Sequence, residues 1–248
     1  MPPYLRVMIH STRGIVLRTI DYSDTSIIVK VYTELFGVQS YLVKGAKRKN
    51  ASVRSRLFQP LSLLELQVYK KEKKQLHTLK EARPEVIFTS IPADPVKTSV
   101  LFFINDVLLK CLHEEENNPD LFSFLHETIQ TLEASEKNNS GLHLVFMIRL
   151  SRFLGFFPQG GYAANTTVFD MREGKFSAKE PHHHDFLSGE NSRLFGNLLL
   201  GNYYALEKLQ FSGKERKMLL DILLRFYELH LSHAGSISSH KVLEQVFA

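Results

Sequence analysis

A run of cations between positions 44 and 56 is the part of this sequence whose chemistry is most direct. Six basic side chains fall within these thirteen positions, which contain no acid: Lys44, Lys47, Arg48, Lys49, Arg54 and Arg56. Small residues such as Gly45 and Ser52 lie between them and leave backbone N–H groups accessible. Lysine and arginine attract phosphate by charge, and free N–H groups bind it by hydrogen bonds. The run predicts a phosphate-binding element.

A second basic cluster lies at an expected turn between two strands. Its members are Lys70, Lys71, Lys73 and Lys74. Tyr41 and Tyr69, on the neighbouring strands, are candidates for stacking on bases. The alternative for each tyrosine is ordinary packing on a strand.

Charge is divided unevenly along the chain. Residues 1–80 contain fifteen Lys/Arg and five Asp/Glu, a net +10, whereas the remainder contains sixteen Lys/Arg and twenty-one Asp/Glu, a net −5. Such asymmetry indicates two regions with different tasks, of which the basic one is a candidate polyanion-binding surface. The alternative is chance placement of solubilising charge.

Arg149 and Arg152 form a different kind of candidate site. They lie three residues apart in an otherwise apolar helical segment, so both face one side. Buried arginines need partners. The partner is either a carboxylate of the same chain or an acidic segment of another protein docked in an apolar groove.

The sequence offers little for catalysis or metal binding. Adjacent histidines in "PHHHD" (181–185) diverge, so they do not supply converging zinc ligands. Cys111 is the only cysteine, which excludes a disulfide within the chain and suits a core residue in a reducing cytoplasm. Nucleotide loops, nucleophile elbows and paired catalytic carboxylates are not found. We therefore predict no catalytic residue, no metal and no cofactor, and a protein that is not an enzyme.

The sequence pattern of residues 1–83 predicts β-strands, which would position the basic residues. In "SIIVKVY", Ile27, Val29 and Val31 point one way, and "LLELQVY" alternates in the same manner. Five such runs separated by turn residues predict a five-stranded OB-fold β-barrel, with an SH3-like barrel as the alternative. The turn at 70–74 would flank the usual binding face of an OB-fold.

Residues 84–248 predict an α-helical domain, which makes the chain α+β. Asp94 and Asn118 are expected N-caps, each followed by proline, and Ser212 with Glu215 forms a capping box. The segment "SGLHLVFMIRLSRFLGFFP" is apolar on nearly every face and predicts a central buried helix. An irregular, cysteine-free insertion at about 157–189 holds one small hairpin near Gly174. Neither a signal peptide nor a membrane span is predicted.

Together these features resemble the RecO family of bacterial recombination mediators. The matching stretches cover nearly the whole chain in the family's order: "GIVLRTIDYSDTSIIVKVYTELFG", "YLVKGAKRKNAS", "FQPLSLLEL", "LSRFLGFFP" and "YELHLSHAGSISSHKVL". The resemblance implies an N-terminal OB-fold, a helical domain, and binding to single- and double-stranded DNA. Many family members carry a four-cysteine zinc module after "GFFP"; here "GGYAANTTVFDMREGKF" has no cysteine, so zinc is not expected.

The resemblance also implies partners and a role. The partners are RecR, the acidic C-terminal tail of single-stranded-DNA-binding protein and, indirectly, the RecA recombinase. The role is to anneal complementary strands and to load RecA onto covered DNA, in the cytoplasm and near the nucleoid. Two other hypotheses remain, an RNA-binding OB-fold protein of ribosome or RNA processing and a metal-dependent hydrolase built on the histidines.

Overall fold

The structure is a computed structural model, and it describes residues 8–46, 57–70, 74–112, 117–135, 141–201 and 211–231 together with residues 239 and 243. The chain divides into two units. The first comprises Met1–Thr89 and Leu112–Ile129, and the second comprises Ser90–Cys111 and Gln130–Ala248. The boundary between residues 83 and 84 stays a prediction.

Five strands form a closed barrel in the first unit. They are β1 (Met8–Asp21), β2 (Ile27–Thr33), β3 (Gly37–Val43), β4 (Leu63–Lys70) and β5 (Leu76–Pro84). Their order around the barrel is β1-β2-β3-β5-β4, and every pair is antiparallel except β3 with β5. This confirms the predicted N-terminal OB-fold.

Period-two alternation places the barrel core where the sequence predicts it. Ile27, Val29 and Val31 of β2 are buried together, and so are Leu64 and Val68 of β4. Glu65 and Gln67, which alternate with the buried residues of β4, face outward, because successive side chains of a strand point to opposite faces.

Strand β1 contains one extra residue relative to β2. Val16 pairs with Val31, but the next pair is Arg18 with Lys30, so Leu17 has no partner in this ladder. A one-residue shift of this kind, a β-bulge, reverses which face the following side chains occupy. Arg18 consequently points away from the core.

The described residues contain six helices. They are α1 (Ser90–Ala93), α2 (Pro95–Cys111), α3 (Pro119–Ala134), α4 (Leu142–Phe153), α5 (Gly189–Leu199) and α6 (Gly213–His230). None is long and apolar enough to cross a membrane in the part of the chain that the structure describes.

Side chains cap three of these helices as predicted. Asp94 Oδ1 accepts from the N–H of Val96 at 2.8 Å before α2, and Asn118 Oδ1 accepts from Leu121 N–H at 2.9 Å before α3. Ser212 and Glu215 form the expected capping box at the start of α6. Each cap satisfies an N–H group that would otherwise lack a partner at a helix end.

Helix α4 is central to the second unit, as its uniformly apolar sequence predicts. Nine of its twelve residues are buried. It packs against α2, α5 and α6. The Tyr227 hydroxyl of α6 donates to the carbonyl of Met147 at 2.6 Å, which satisfies a buried polar group.

Residues 157–189, where the sequence shows no clear period, contain a small sheet. Strands β6 (Val168–Asp170), β7 (Lys175–Ser177) and β8 (Phe186–Leu187) pair in the order β7-β6-β8. The predicted hairpin joins β6 to β7, and Gly174 adopts a φ of 64°, which glycine tolerates best. Phe169 lies 4.9 Å from Phe176 and 4.6 Å from Phe195 between ring centroids, so aromatic packing anchors the sheet.

Candidate nucleic-acid interface

Three of the ten predicted phosphate-binding cations belong to the described residues. Lys44, Lys70 and Lys74 are all exposed. The other seven lie outside the described residues: Lys47, Arg48, Lys49, Arg54, Arg56, Lys71 and Lys73. Their role in binding stays a prediction.

The structure places Lys44 and Lys70 at opposite ends of the barrel. Lys44 directly follows Val43, which pairs with Ile27 at the start of β2, near the end of β1. Lys70 pairs with Met8, the first residue of β1. The described cations Lys44 and Lys70, one from each predicted basic cluster, therefore lie at different ends of the barrel.

Lys70 is held by an aromatic contact. Its ammonium lies 3.9 Å from the centroid of the Phe36 ring, and the His10 ring meets the same phenylalanine edge-on at 5.2 Å. A cation over an aromatic face is attracted by the ring quadrupole. The contact fixes the position of Lys70 while its side chain stays exposed.

Between these ends, the barrel presents a row that links four strands. Arg18 of β1 pairs with Lys30 of β2, Lys30 pairs with Ser40 of β3, and Ser40 pairs with Leu76 of β5. Neither cation of this row forms an ion pair with a described residue. We call Arg18 and Lys30 the cation pair. Like charges directly opposite across a ladder are destabilising, so an anion bound over the cation pair would relieve a cost already present.

The neighbouring row is largely apolar. Ile20 pairs with Ile28, Ile28 with Leu42, and Leu42 with Thr78. Ile20 is 47% exposed, and Tyr22 in the following turn is 59% exposed. We call Ile20, Ile28 and Leu42 the apolar row. An apolar row beside cations is suited to single-stranded nucleic acid, because the bases can pack on the apolar side chains while the phosphates contact the positive charges.

Of the two alternatives for Tyr41, stacking on bases is wrong and ordinary packing on a strand is observed. Tyr41 is 1% exposed and lies in the barrel core, because it pairs with inward-facing Val29. Burial raises the pKa of its hydroxyl well above the ordinary value. Tyr69 does face outward and is half-buried, opposite Ile9 of β1. Tyr22, which sequence reasoning passed over, is the more exposed aromatic side chain.

Arg149 and Arg152 both lie on α4, three residues apart. Arg152 is exposed, and its guanidinium carbon lies 4.3 Å from the centroid of the Phe157 ring. Arg149 is half-buried and makes a contact within the protein. Docking of an acidic tail on these arginines stays a prediction.

The three histidines of "PHHHD" diverge in the structure. His182 and His184 are exposed, whereas His183 Nε2 lies 3.3 Å from Asp170 Oδ1. Within the described ranges, no group of three or more His, Cys, Asp or Glu side chains is arranged to hold a metal ion. The neighbouring Asp185 carboxylate is held by hydrogen bonds from Arg172 and Arg225, which keep its pKa below the ordinary value.

Burial shifts the pKa of two further groups of the second unit, Cys111 and His143. The lone thiol, Cys111, is half-buried, and burial raises its pKa to about 12. It is therefore a poor nucleophile. His143 is fully buried on α4, and burial lowers its pKa to about 3, so it is neutral at pH 7.

Comparison with known proteins covers almost the whole chain. The family model "Recombination protein O N terminal" matches residues 8–88, and "Recombination protein O C terminal" matches residues 92–238. A protein of Azobacteroides pseudotrichonymphae named DNA repair protein RecO is 37% identical over 240 residues, which is 97% of this chain and 100% of that protein. Relatives with the same name from Phocaeicola vulgatus and Bacteroides fragilis are 35% and 36% identical over 241 residues, again 97% of this chain and 100% of each relative. The chain belongs to the RecO family of DNA repair proteins.

Proposed function

We propose that this chain is a non-enzymatic mediator of DNA repair and recombination that binds DNA without sequence preference through its barrel. The observation that carries the proposal is the cation pair beside the apolar row, on one face of an OB-fold. Phosphate contacts provide affinity without reading bases, and apolar contacts accept any base. This face suits single-stranded DNA. Double-stranded DNA, which offers only its phosphates to such a surface, would rely on the basic loops.

The second unit supplies the protein contacts in this proposal. Arg149 and Arg152 receive the acidic C-terminal tail of single-stranded-DNA-binding protein, and RecR binds elsewhere on the chain. Through these partners the protein anneals complementary strands and helps RecA to load onto covered DNA. These activities belong in the cytoplasm, at the nucleoid.

The salt dependence of binding tests the role of the basic loop. The logarithm of the binding constant falls linearly with the logarithm of the salt concentration, and on single-stranded DNA each lost phosphate contact makes this slope shallower by about 0.7. The triple variant Lys47→Ala/Arg48→Ala/Lys49→Ala should therefore make it shallower by about 2. An unchanged slope would remove this loop from the interface. Competition with an RNA strand of the same sequence tests the alternative of an RNA-binding protein, which a strong preference for RNA would favour.

A strand-annealing assay tests the partner site. Adding the tail peptide of single-stranded-DNA-binding protein should alter annealing by the unmodified protein, and Arg149→Ala or Arg152→Ala should weaken peptide binding. Arg193→Ala serves as the matched control, because Arg193 pairs with Glu190 on an exposed helical surface. Thermal unfolding of each variant separates lost docking from lost folding; an unfolded Arg149→Ala variant would assign that arginine an internal role.

A further inference from the structure

A groove of about 350 Å³ opens on a different part of the barrel, on the outer side of β1, β4 and β5. Its volume lies at the lower end of the range for ligand pockets, about 300–1,000 Å³. It is lined almost entirely by polar side chains: Ser11, Thr12, Arg13, Glu34, Glu65, Gln67, Glu81 and Arg83, with Leu66. We call it the β4 groove.

Strand pairing arranges the floor of the β4 groove in two rows. In one row Glu65 of β4 lies between Arg13 of β1 and Arg83 of β5. In the next, Gln67 lies between Ser11 and Glu81. All of these residues occupy the alternate positions whose side chains face outward, so the side chains lie side by side on the surface of the barrel.

Both arginines are already paired with other carboxylates. Arg13 donates to Glu34 through Nε at 2.9 Å and through Nη2 at 2.6 Å, which lowers the pKa of Glu34. Arg83 donates to Glu81 through Nε at 2.9 Å. The two rims of the groove are thus ion pairs within the chain.

The centre of the β4 groove is polar and without internal partners. The side chains of Ser11, Glu65 and Gln67 form no hydrogen bond or ion pair with a described residue. Three carboxylates and two guanidinium groups leave one excess negative charge here, although residues 1–80 carry a net +10. A phosphate backbone is repelled by such a site, whereas an added cation completes its charge balance.

An apolar edge continues the same face. Beyond Ser11 and Gln67, the next outward pair on the two strands is Ile9 with Tyr69. Ile9 is 48% exposed, and neighbouring Met8 is 57% exposed. Large exposed apolar side chains beside polar groups with free hydrogen-bonding capacity are typical of protein-binding surfaces.

We propose that the β4 groove docks an extended segment of a partner protein that carries an arginine or lysine. The cation lies against the Glu65 carboxylate and binds Ser11 and Gln67, while an apolar side chain of the same segment packs on Ile9 and Tyr69. Glu65 and Tyr69 are four residues apart, about 13 Å along the strand, which sets the separation of the two side chains in the partner. This surface is separate from the cation pair and the apolar row, and it extends the protein's role to a basic partner.

Nuclear magnetic resonance titration of the full chain tests the proposal with a defined probe, the peptide acetyl-Leu-Thr-Ser-Thr-Arg-amide. We expect shifts of the Ser11 and Gln67 amide resonances, with a dissociation constant on the order of 1 mM for so small a contact. Glu65→Gln should weaken binding by up to about fivefold, as should citrulline in place of the peptide's arginine. Glu180→Gln, at an exposed carboxylate in the second unit, should leave binding unchanged.

Three results would overturn the proposal. One is the absence of shifts at saturating peptide, and another is equal binding by Glu65→Gln and the unmodified protein. The third is a single-stranded DNA oligonucleotide that shifts the Ser11 and Gln67 amides in the same way, which would assign the groove to nucleic acid. Because Glu65 is exposed and forms no hydrogen bond or ion pair with a described residue, Glu65→Gln should keep its fold, and its own spectrum verifies this.

Discussion

Replacing the cation pair should weaken DNA binding while it leaves the protein equally stable or more stable. Arg18 and Lys30 lie directly opposite each other on β1 and β2. Glutamine at both positions keeps part of each side-chain stem and removes both charges. Most substitutions that abolish binding also destabilise a fold, so opposite signs for affinity and stability are diagnostic of a repulsion maintained for a ligand.

The expected sizes follow from the geometry. Two lost phosphate contacts on a single strand should flatten the log–log salt slope by about 1.4 and, in about 0.1 M salt, reduce affinity about 25-fold. Removing like charges that face each other across a ladder should stabilise the barrel by about 0.2–1 kcal/mol. For a chain of this size, 1 kcal/mol corresponds to about 2–4 °C in Tm.

Fluorescence anisotropy with a labelled oligonucleotide at several salt concentrations measures the slope, and calorimetry measures Tm. The matched control is Lys179→Gln/Lys214→Gln, which removes two exposed charges from the second unit and so keeps the net charge equal to that of the test variant. The control should retain the slope of the unmodified protein. This comparison separates a local contact from a general effect of net charge.

Two outcomes would refute the reasoning. An unchanged slope would mean that DNA does not contact the cation pair. A clear fall in Tm together with the loss of affinity would mean that Arg18 or Lys30 stabilises the barrel, so that the loss of binding reports unfolding rather than a missing contact.

Three further predictions concern the second unit. Ser212→Ala removes a helix cap and should reduce the free energy of unfolding by about 0.5–2 kcal/mol in urea denaturation. Gly196→Ala places a Cβ 2.6 Å from that of Tyr162 and should destabilise by about 1–3 kcal/mol, whereas Gly141→Ala, with open space around it, should not. Because the pKa of Asp185 is depressed in the folded state, its stabilisation is present above its unfolded pKa of about 3.9 and is lost as pH falls below it. The stability difference between Asp185→Asn and the unmodified protein should therefore shrink in acid.

Local rules made much of the fold predictable. Asp94 and Asn118, each followed by proline, identified two helix starts. Each of these side chains can cap an N–H group, and the proline has no N–H group that would lack a partner in the first turn. Alternation in β2 and β4 identified the barrel core, and the uniformly apolar character of α4 identified the central helix of the second unit. These signals lie within a few residues of each other along the chain.

The candidate interface was less predictable, because it depends on pairing between distant strands. Composition shows that Arg18 and Lys30 are basic, but only the ladder shows that they lie opposite each other. Pairing between strands also decides the position of Tyr41. It lies opposite Val29, which faces the barrel core, so the Tyr41 side chain faces the core as well. Of the sheet within residues 157–189 the sequence predicted only the hairpin near Gly174, because its strands are two or three residues long, too short to show a period.

The extra residue in β1 makes the number of residues in that strand as important as their identity. If the same residues formed a regular strand without the bulge, Arg18 and Ile20 would turn toward the barrel interior, so the one extra residue determines which side chains lie on the surface over the rest of the strand. A substitution at Leu17 affects one buried side chain and leaves that alternation alone. We therefore expect β1 to tolerate many changes of residue type, whereas a residue inserted between Arg18 and Asp21 would turn the side chains that follow it to the opposite face.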